Sequence, residues 1–452
     1  MGSATPIDVP ALIDHQPLGR FQFQTLILCF AVLVMDGYDA LAIGNVGPSL
    51  AKALHISRPA LGPVFSSGFF GLMLGTLLFG TLADWLGRRR VIIGSAVFFG
   101  VCTLLTVKVT SVERLVILRF VTGLGLGGAL PNTIALMSEF APRRARATLV
   151  TLMQTGFPFG AAFSGVIVAW LVDKYGWMTV FYVGGGAPLV LALLLVARLP
   201  ESVRFLILKG GRAVAVSALL SKVNPRLQFS PQPTFVVNEE NRKGVPVLHL
   251  FSEGRALGTV LLWIAFSANL LTLTFLASWL PTMINSIGIP VRQAVWSNVV
   301  YQGGGIVGAV FLGKLADLHG AYRVLPSTFV SGAIFVSLAG LMGSSLPPIL
   351  ALSLAMGFCI AGGQIGLNAF AAANYPTYIR STGAGWASGI GRSGTVFSGL
   401  LGTLLLARHW SFVAIFLTNG FFALCAAAAI FLMGLSQRKK ASFMSGAIPI
   451  QN

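Results

Sequence analysis

Gly80-Thr81-Leu82-Ala83-Asp84-Trp85-Leu86-Gly87-Arg88 recurs 233 residues later as Gly313-Lys314-Leu315-Ala316-Asp317-Leu318-His319-Gly320-Ala321. Further along, Pro142, Arg146 and Thr148 recur as Pro376, Arg380 and Thr382 at an offset of 234. Agreement at several positions with one offset marks an internal repeat. Around these copies the chain breaks into twelve apolar runs of roughly 20 residues, each long enough to cross a bilayer as a helix. The longest polar interval, Leu199 to Arg255, holds Pro225, Pro231, Pro233, Pro246 and the charged run Asn238–Lys243, and it separates six runs from six. The expectation is an all-α polytopic membrane protein with twelve transmembrane helices in two six-helix halves. Its expected parts are a tail (1–23), a first half (24–198), a central loop (199–256), a second half (257–435) and a tail (436–452). Two parallel halves related about the membrane normal place a substrate site between them, near the midplane.

Composition agrees. Of 452 residues, 55% are hydrophobic and only 10% charged, where a soluble domain carries about 25% charged. Mean hydropathy is +0.82. The net charge of +18 would suit a nucleic-acid binder were it clustered on one soluble face. Instead most Lys and Arg fall in the tails and alternate loops, against Lys52, Arg58, Lys108, Arg114, Lys174, Arg292 and Arg408 on the other side. That asymmetry is the positive-inside pattern, which puts both termini in the cytoplasm, with some attraction to anionic membrane lipid. Met1 to Arg20 is polar, carries Pro6, Pro10 and Pro17, and lacks a signal-peptide pattern, so the first run reads as a retained span. Cys29, Cys102, Cys359 and Cys425 sit within apolar runs without paired spacing and read as buried small hydrophobes.

Inside the first run lies Leu33-Val34-Met35-Asp36-Gly37-Tyr38-Asp39-Ala40-Leu41. Asp36 and Asp39 are three residues apart and share a helix face. Ionised carboxylates are costly in hydrocarbon and face a bundle interior or a water path, so two on one face read as a proton or ion relay. At about 1.5 Å rise per residue, Asp39 lies roughly 22 Å above the cytoplasmic end of its span, the depth of Arg119 in the fourth run. The two are placed to pair. Such a pair either switches proton affinity between conformations or stands as a static ion pair that fixes helix register.

Three further stretches carry a family resemblance. Gly-x-Leu-Ala-Asp-x-x-Gly-Arg-Arg after the second span, with its weaker second copy, resembles the loop signature of the major facilitator superfamily. Leu118-Arg119-Phe120-Val121-Thr122-Gly123-Leu124-Gly125-Leu126-Gly127-Gly128 resembles its fourth-helix motif. Leu199-Pro200-Glu201-Ser202-Val203-Arg204-Phe205-Leu206 resembles the motif that ends the sixth helix in the sugar and organic-acid branches. Within that superfamily, Asp36-Gly37-Tyr38-Asp39 resembles the aromatic acid:proton symporters, which carry benzoate, hydroxybenzoate and protocatechuate. The second loop copy lacks the basic cluster: His319 and Gly320 lead into Ala321, Tyr322 and Arg323, which stand at the places of Arg88, Arg89 and Arg90.

The resemblance implies a proton-coupled importer of small aromatic carboxylates in the inner membrane, working as a monomer by alternating access, with protons as co-substrate. Asp36, Asp39 and Arg119 are the coupling candidates. Arg392 stands among Gly389, Gly391 and Gly394 near mid-span, and a planar guanidinium suits a carboxylate held bidentately. It is the candidate substrate anchor, the alternative being a side chain that snorkels to the interface. The ring and its hydroxyls need apolar faces and a few polar groups. Tyr38, Gln154, Phe157, Asn269, Gln302 and Trp386 are candidates, although membrane aromatics also serve as packing or interfacial anchors. Asp84 with Arg88 and Arg90, Glu139 with Arg146, and the repeat partners Asp317 and Arg380 are gating candidates, or charges that set topology.

Other classes fit less well. Gly123, Gly125, Gly127 and Gly128 lack the strand and acidic residue of a dinucleotide site, and small residues permit close helix packing in lipid. No nucleophile–base set and no metal-ligand cluster is evident, so neither cofactor, metal nor enzyme activity is expected, and no nucleic-acid partner. The remaining rivals are the same fold carrying a dicarboxylate or shikimate-like acid, and a membrane sensor.

Overall fold

The computed structural model describes residues 6–210, 213–224, 233–236, 247–252, 255–343, 345–375 and 379–445. Among them are twelve helices long and apolar enough to cross a membrane. Spans one to six are Arg20–Ala53, Arg58–Leu86, Arg88–Thr106, Val112–Phe140, Arg143–Tyr175 and Met178–Arg198. Spans seven to twelve are Ala256–Ser286, Val291–His319, Ala321–Ala339, Leu346–Asn374, Thr382–Ala407 and Phe412–Ser436. The four cysteines are free, three of them buried.

The second and third spans are separated by a single residue, Gly87, whose φ of +94° lies in the region that only glycine enters without strain. Gly320, its repeat partner, has φ +85° and does the same between the eighth and ninth spans. The repeated loop motif is therefore a tight turn that needs glycine at one fixed place. A Cβ on Gly87 would also meet the Glu201 carboxylate at 2.5 Å.

The repeat reappears in the helix crossings. A Cβ at Gly71 would run into the main-chain oxygen of Phe120, and one at Gly75 into that of Leu124. Gly304 and Gly308 stand the same way against Leu354 and Phe358. Gly160 is closed by the Val34 oxygen, and Gly394 by that of Ser267. Each pair maps onto its counterpart with the offsets of 233 and 234 found in the loops. Without a hydrophobic drive between helices in lipid, such backbone approach supplies the packing. Gly123 and Gly127, which face Gly68 and Gly75, are thus packing residues. Gly160→Leu is expected to destabilise the protein by about 3 kcal/mol or more through overpacking, read as a fall in apparent melting temperature in detergent. An unchanged transition would show that the first and fifth spans can separate freely.

By their contacts the residues fall into two compact units. One comprises Met1–Ala42, Ser67–Ser164 and Lys174–Asn241, the other Ile43–Ser66, Gly165–Asp173 and Arg242–Asn452. The first unit includes a cap built on the N-terminal tail. Ile7–Asp8 pairs in parallel with Phe235–Val236, and the short helix Val9–Asp14 buries Val9 and Ile13. Asp14 then caps the start of the fifth span, accepting from the Arg143 main-chain N–H at 2.8 Å. Its carboxylate also pairs with the Arg143 side chain at 2.9 Å and Arg146 at 3.7 Å.

The second unit holds the C-terminal end of the first span, the N-terminal end of the second and a stretch of the fifth, together with spans seven to twelve. Inside it Asn298 donates to the Asn45 side chain at 2.6 Å and to the Ala277 carbonyl at 3.0 Å, both asparagines fully buried. Ser66 donates to Val396 O at 2.7 Å and Thr403 to Pro59 O at 2.8 Å. Phe65 meets Trp279 edge-to-face with ring centres 5.0 Å apart.

Candidate functional site

In the first unit the acid–base residues come together. Asp39, with no exposed surface, accepts from Thr103 Oγ1 at 2.5 Å through Oδ1 and from Arg119 Nη2 at 3.0 Å through Oδ2. The same Nη2 reaches the Asp39 main-chain oxygen at 3.0 Å. Arg119 is 2% exposed, and its Nε and Nη1 have no hydrogen-bond partner among the described residues. The two form a desolvated ion pair, and removing either partner leaves the other without its counter-charge in the membrane interior. Asp36, one turn earlier, is 2% exposed. The pair predicted from matched depth is therefore formed, with Thr103 as a third member that a lone mid-span hydroxyl did not reveal.

Tyr38 points elsewhere. Its hydroxyl donates to the Val180 carbonyl at 2.9 Å, and its ring lies against Gly184 of the sixth span. That commits it to packing in this conformation. Gln154 and Phe157 are half-buried on the fifth span, and the Phe157 main-chain oxygen fits the notch left by Gly37.

In the second unit Asn269, fully buried, donates to Gln364 Oε1 at 2.8 Å and to the Ile360 carbonyl at 3.3 Å. Gln364 in turn donates to Asn368 at 3.1 Å. Ile360 belongs to a π-helical turn, Gly357–Ala361, a local widening that frees carbonyls from the helix ladder. Asn269 is the repeat counterpart of Asp36, and Thr272 that of Asp39 (offset 233). The second half thus carries neutral polar groups where the first carries acids. Gln302 is 4% exposed. Arg392 is half-buried, and its neighbours Gly391 and Gly394 pack on Phe266 and Ser267 of the seventh span. Trp386, 42% exposed, stacks on Trp263 with ring centres 6.1 Å apart, and Trp263 meets Phe251 edge-to-face. This ladder has the character of an interfacial anchor.

The charge clusters at the span ends differ from the expected pairings. Arg88 binds Glu139 rather than Asp84, because the Gly87 turn makes Arg88 the first residue of the third span. Ser202 Oγ also donates to Glu139, at 2.9 Å. Glu201 accepts from the main-chain N–H groups of Arg89 at 3.1 Å and Ser202 at 2.9 Å. Arg146 turns to the Ala141 carbonyl and Asp14 rather than to Glu139. Asp84, Arg90 and Asp317 are exposed. Arg380 begins its helix, but its side chain lies outside the described residues. Glu201, Ser202 and Asp14 were missed as participants: the first two stood in a recognised motif without a role, and Asp14 in a polar tail.

The fold is that of a membrane carrier. The xylose transporter XylE of E. coli, in a partially occluded inward-open conformation, superposes with a TM-score of 0.70 at 18% identity, covering 91% of this chain and 97% of that one. In sequence the chain is 39% identical over 435 residues to the 4-hydroxybenzoate transporter PcaK of Acinetobacter baylyi, covering 95% of this chain and 94% of PcaK. It is 36% identical to a gallate transporter of Pseudomonas putida, with 95% of each chain covered. The benzoate transport protein of A. baylyi is 34% identical over 420 residues, with 90% of each chain covered. The family model of the Major Facilitator Superfamily matches residues 28–283 and 262–446. The chain belongs to the major facilitator superfamily. It is a multi-pass membrane transporter and not an enzyme.

Proposed function

We propose that the protein imports small aromatic carboxylates together with protons across the inner membrane, both termini being cytoplasmic. The observation that carries this is the buried set Asp36, Asp39, Thr103 and Arg119 in the first unit. Two acids in a membrane interior, one of them locked to a guanidinium, are a device for taking up and releasing a proton. The names of its relatives, transporters of 4-hydroxybenzoate, gallate and benzoate, support the substrate class. An anion moving against an inside-negative potential needs at least one cation with it, which a carboxylate that protonates in each cycle supplies. Protonation of Asp39 releases Arg119, and its deprotonation restores the pair. The bond of Arg88 to Glu139 is then the contact expected to break and re-form at the span ends.

Arg392 is read as the anchor for the substrate carboxylate. Arg392→Lys keeps the charge but loses the planar fork, and it is expected to weaken binding about 10- to 100-fold, the loss of one charge-assisted hydrogen bond. Equilibrium binding of 4-hydroxybenzoate checks this, and unchanged affinity would remove Arg392 from the site.

The direct test is uptake of radiolabelled 4-hydroxybenzoate into proteoliposomes with and without an imposed inward proton gradient. Accumulation that requires the gradient, and is blocked by excess benzoate but not by succinate, is the expected result. Competition by succinate instead would assign a dicarboxylate. Uptake indifferent to the gradient would reject proton coupling.

A further inference from the structure

Within the first unit, a cavity of about 600 Å³ opens where the start of the first span, the end of the sixth and the loop helix Ala213–Val223 meet. Arg89, Arg198 and Lys222 line it, with Leu206 and Leu219 as apolar wall. A second cavity of about 560 Å³ adjoins it. It shares Arg89, Glu201 and Leu206 and adds Arg90, Ile93, Gly94 and Val196. Among the described residues, four cations therefore line the two cavities against one carboxylate, Glu201. That carboxylate already accepts the Arg89 and Ser202 main-chain N–H groups. Arg89 is held in place by its Nη2 bond to the Val196 carbonyl at 2.5 Å, and its buried Nε has no hydrogen-bond partner among the described residues.

We propose that this pair of cavities binds an anionic phospholipid, with the headgroup phosphate among Arg89, Arg198 and Lys222. The shape of the second cavity selects a lipid over a free phosphate. Its lining residues Arg90, Ile93 and Gly94 stand at the foot of an exposed apolar stripe of the third span that continues through Val97 and Val101, 41% and 43% exposed. Val196 at 54% and Leu193 at 74% exposure form the matching face of the sixth span. Residues three and four apart share one helix face, so the stripe is a continuous track. An apolar track of membrane-facing residues that ends in a cationic cavity has the polarity of a phospholipid, chains along the track and phosphate in the cavity. The occupant would touch Arg89 and Leu206, which flank the Glu201, Ser202 and Glu139 hydrogen bonds. Its binding is thereby connected to the charge cluster at the ends of the second, third and fourth spans.

Native mass spectrometry of the whole transporter with phosphatidylglycerol, phosphatidylcholine and inorganic phosphate tests the assignment. Phosphatidylglycerol is expected to be retained and phosphatidylcholine not. The exposed pair Arg198→Gln/Lys222→Gln is expected to weaken retention roughly 30-fold, two charges near the membrane surface. Lys222→Glu alone is a second variant with no packing role and is expected to act in the same direction. Equal retention of both lipids, or unaltered retention by both variants, would overturn the site. Displacement of phosphatidylglycerol by millimolar inorganic phosphate would overturn the lipid and leave a soluble anion in its place.

Discussion

Asp39→Asn is expected to destabilise the protein by about 3–5 kcal/mol and to abolish substrate accumulation. The amide is nearly isosteric, so packing is kept and only the charge is lost. What remains is Arg119, 2% exposed, with no counter-charge at its Nη2. Breaking a buried pair by removing one partner carries a cost of about that size, whereas replacing both partners is often close to neutral. Adding Arg119→Gln to Asp39→Asn is therefore expected to recover most of the lost stability without recovering accumulation. Labelling of the buried cysteines Cys29 and Cys102 during heating reports the first quantity, and proteoliposome uptake the second. Full stability of the single variant would show that the pair is not desolvated. Accumulation by the double variant would reduce the pair to a helix-register device.

The second large effect is expected at Asp36. If one proton accompanies each anion, a pH difference of one unit sustains about a tenfold substrate gradient, since one unit is 1.36 kcal/mol. If two protons move, the cycle also draws on the potential, and 100 mV adds about 2.3 kcal/mol, or roughly 50-fold. Asp36→Asn is expected to bring either figure down to about one, while exchange of labelled for unlabelled substrate persists. The exchange arm matters because it separates lost coupling from lost folding or lost binding. A variant that still builds a gradient under a pH difference would move the coupling role elsewhere, leaving Asp39 as the remaining acid.

The twelve spans were legible because apolar runs of membrane length have few other uses, and the repeat was legible because loop motifs tolerate little change in spacing. The same offset ran deeper than the loops. It aligned glycine-to-backbone contacts such as Gly75 on Leu124 and Gly308 on Phe358, and adding 233 to Asp36 would have singled out Asn269. The Asp39–Arg119 pair was readable from depth alone, since two charges at one level of a low-dielectric bundle have few other partners. Arg88 was not readable. Sequence nearness suggested Asp84, but a positive-φ glycine between them redirects the chain, so the partner is Glu139, 51 residues on. The tail was misread as merely polar for a related reason. A six-residue helix has no stability of its own, and Val9 and Ile13 reveal an apolar face only against a surface supplied from elsewhere in the chain.

That tail has a consequence for how the protein is made. The partner of Ile7–Asp8 is Phe235–Val236, which leaves the ribosome roughly 230 residues later, or about 10–45 s at ordinary synthesis rates. All six spans of the first half must be translated before the strand pair can close. Ile7 and Asp8, made ahead of all six spans, are thus among the last residues of that half to find their place, and closure of the cap marks completion of the first six spans. A fusion placed ahead of Ile7 would load this late step, whereas one after the twelfth span would not.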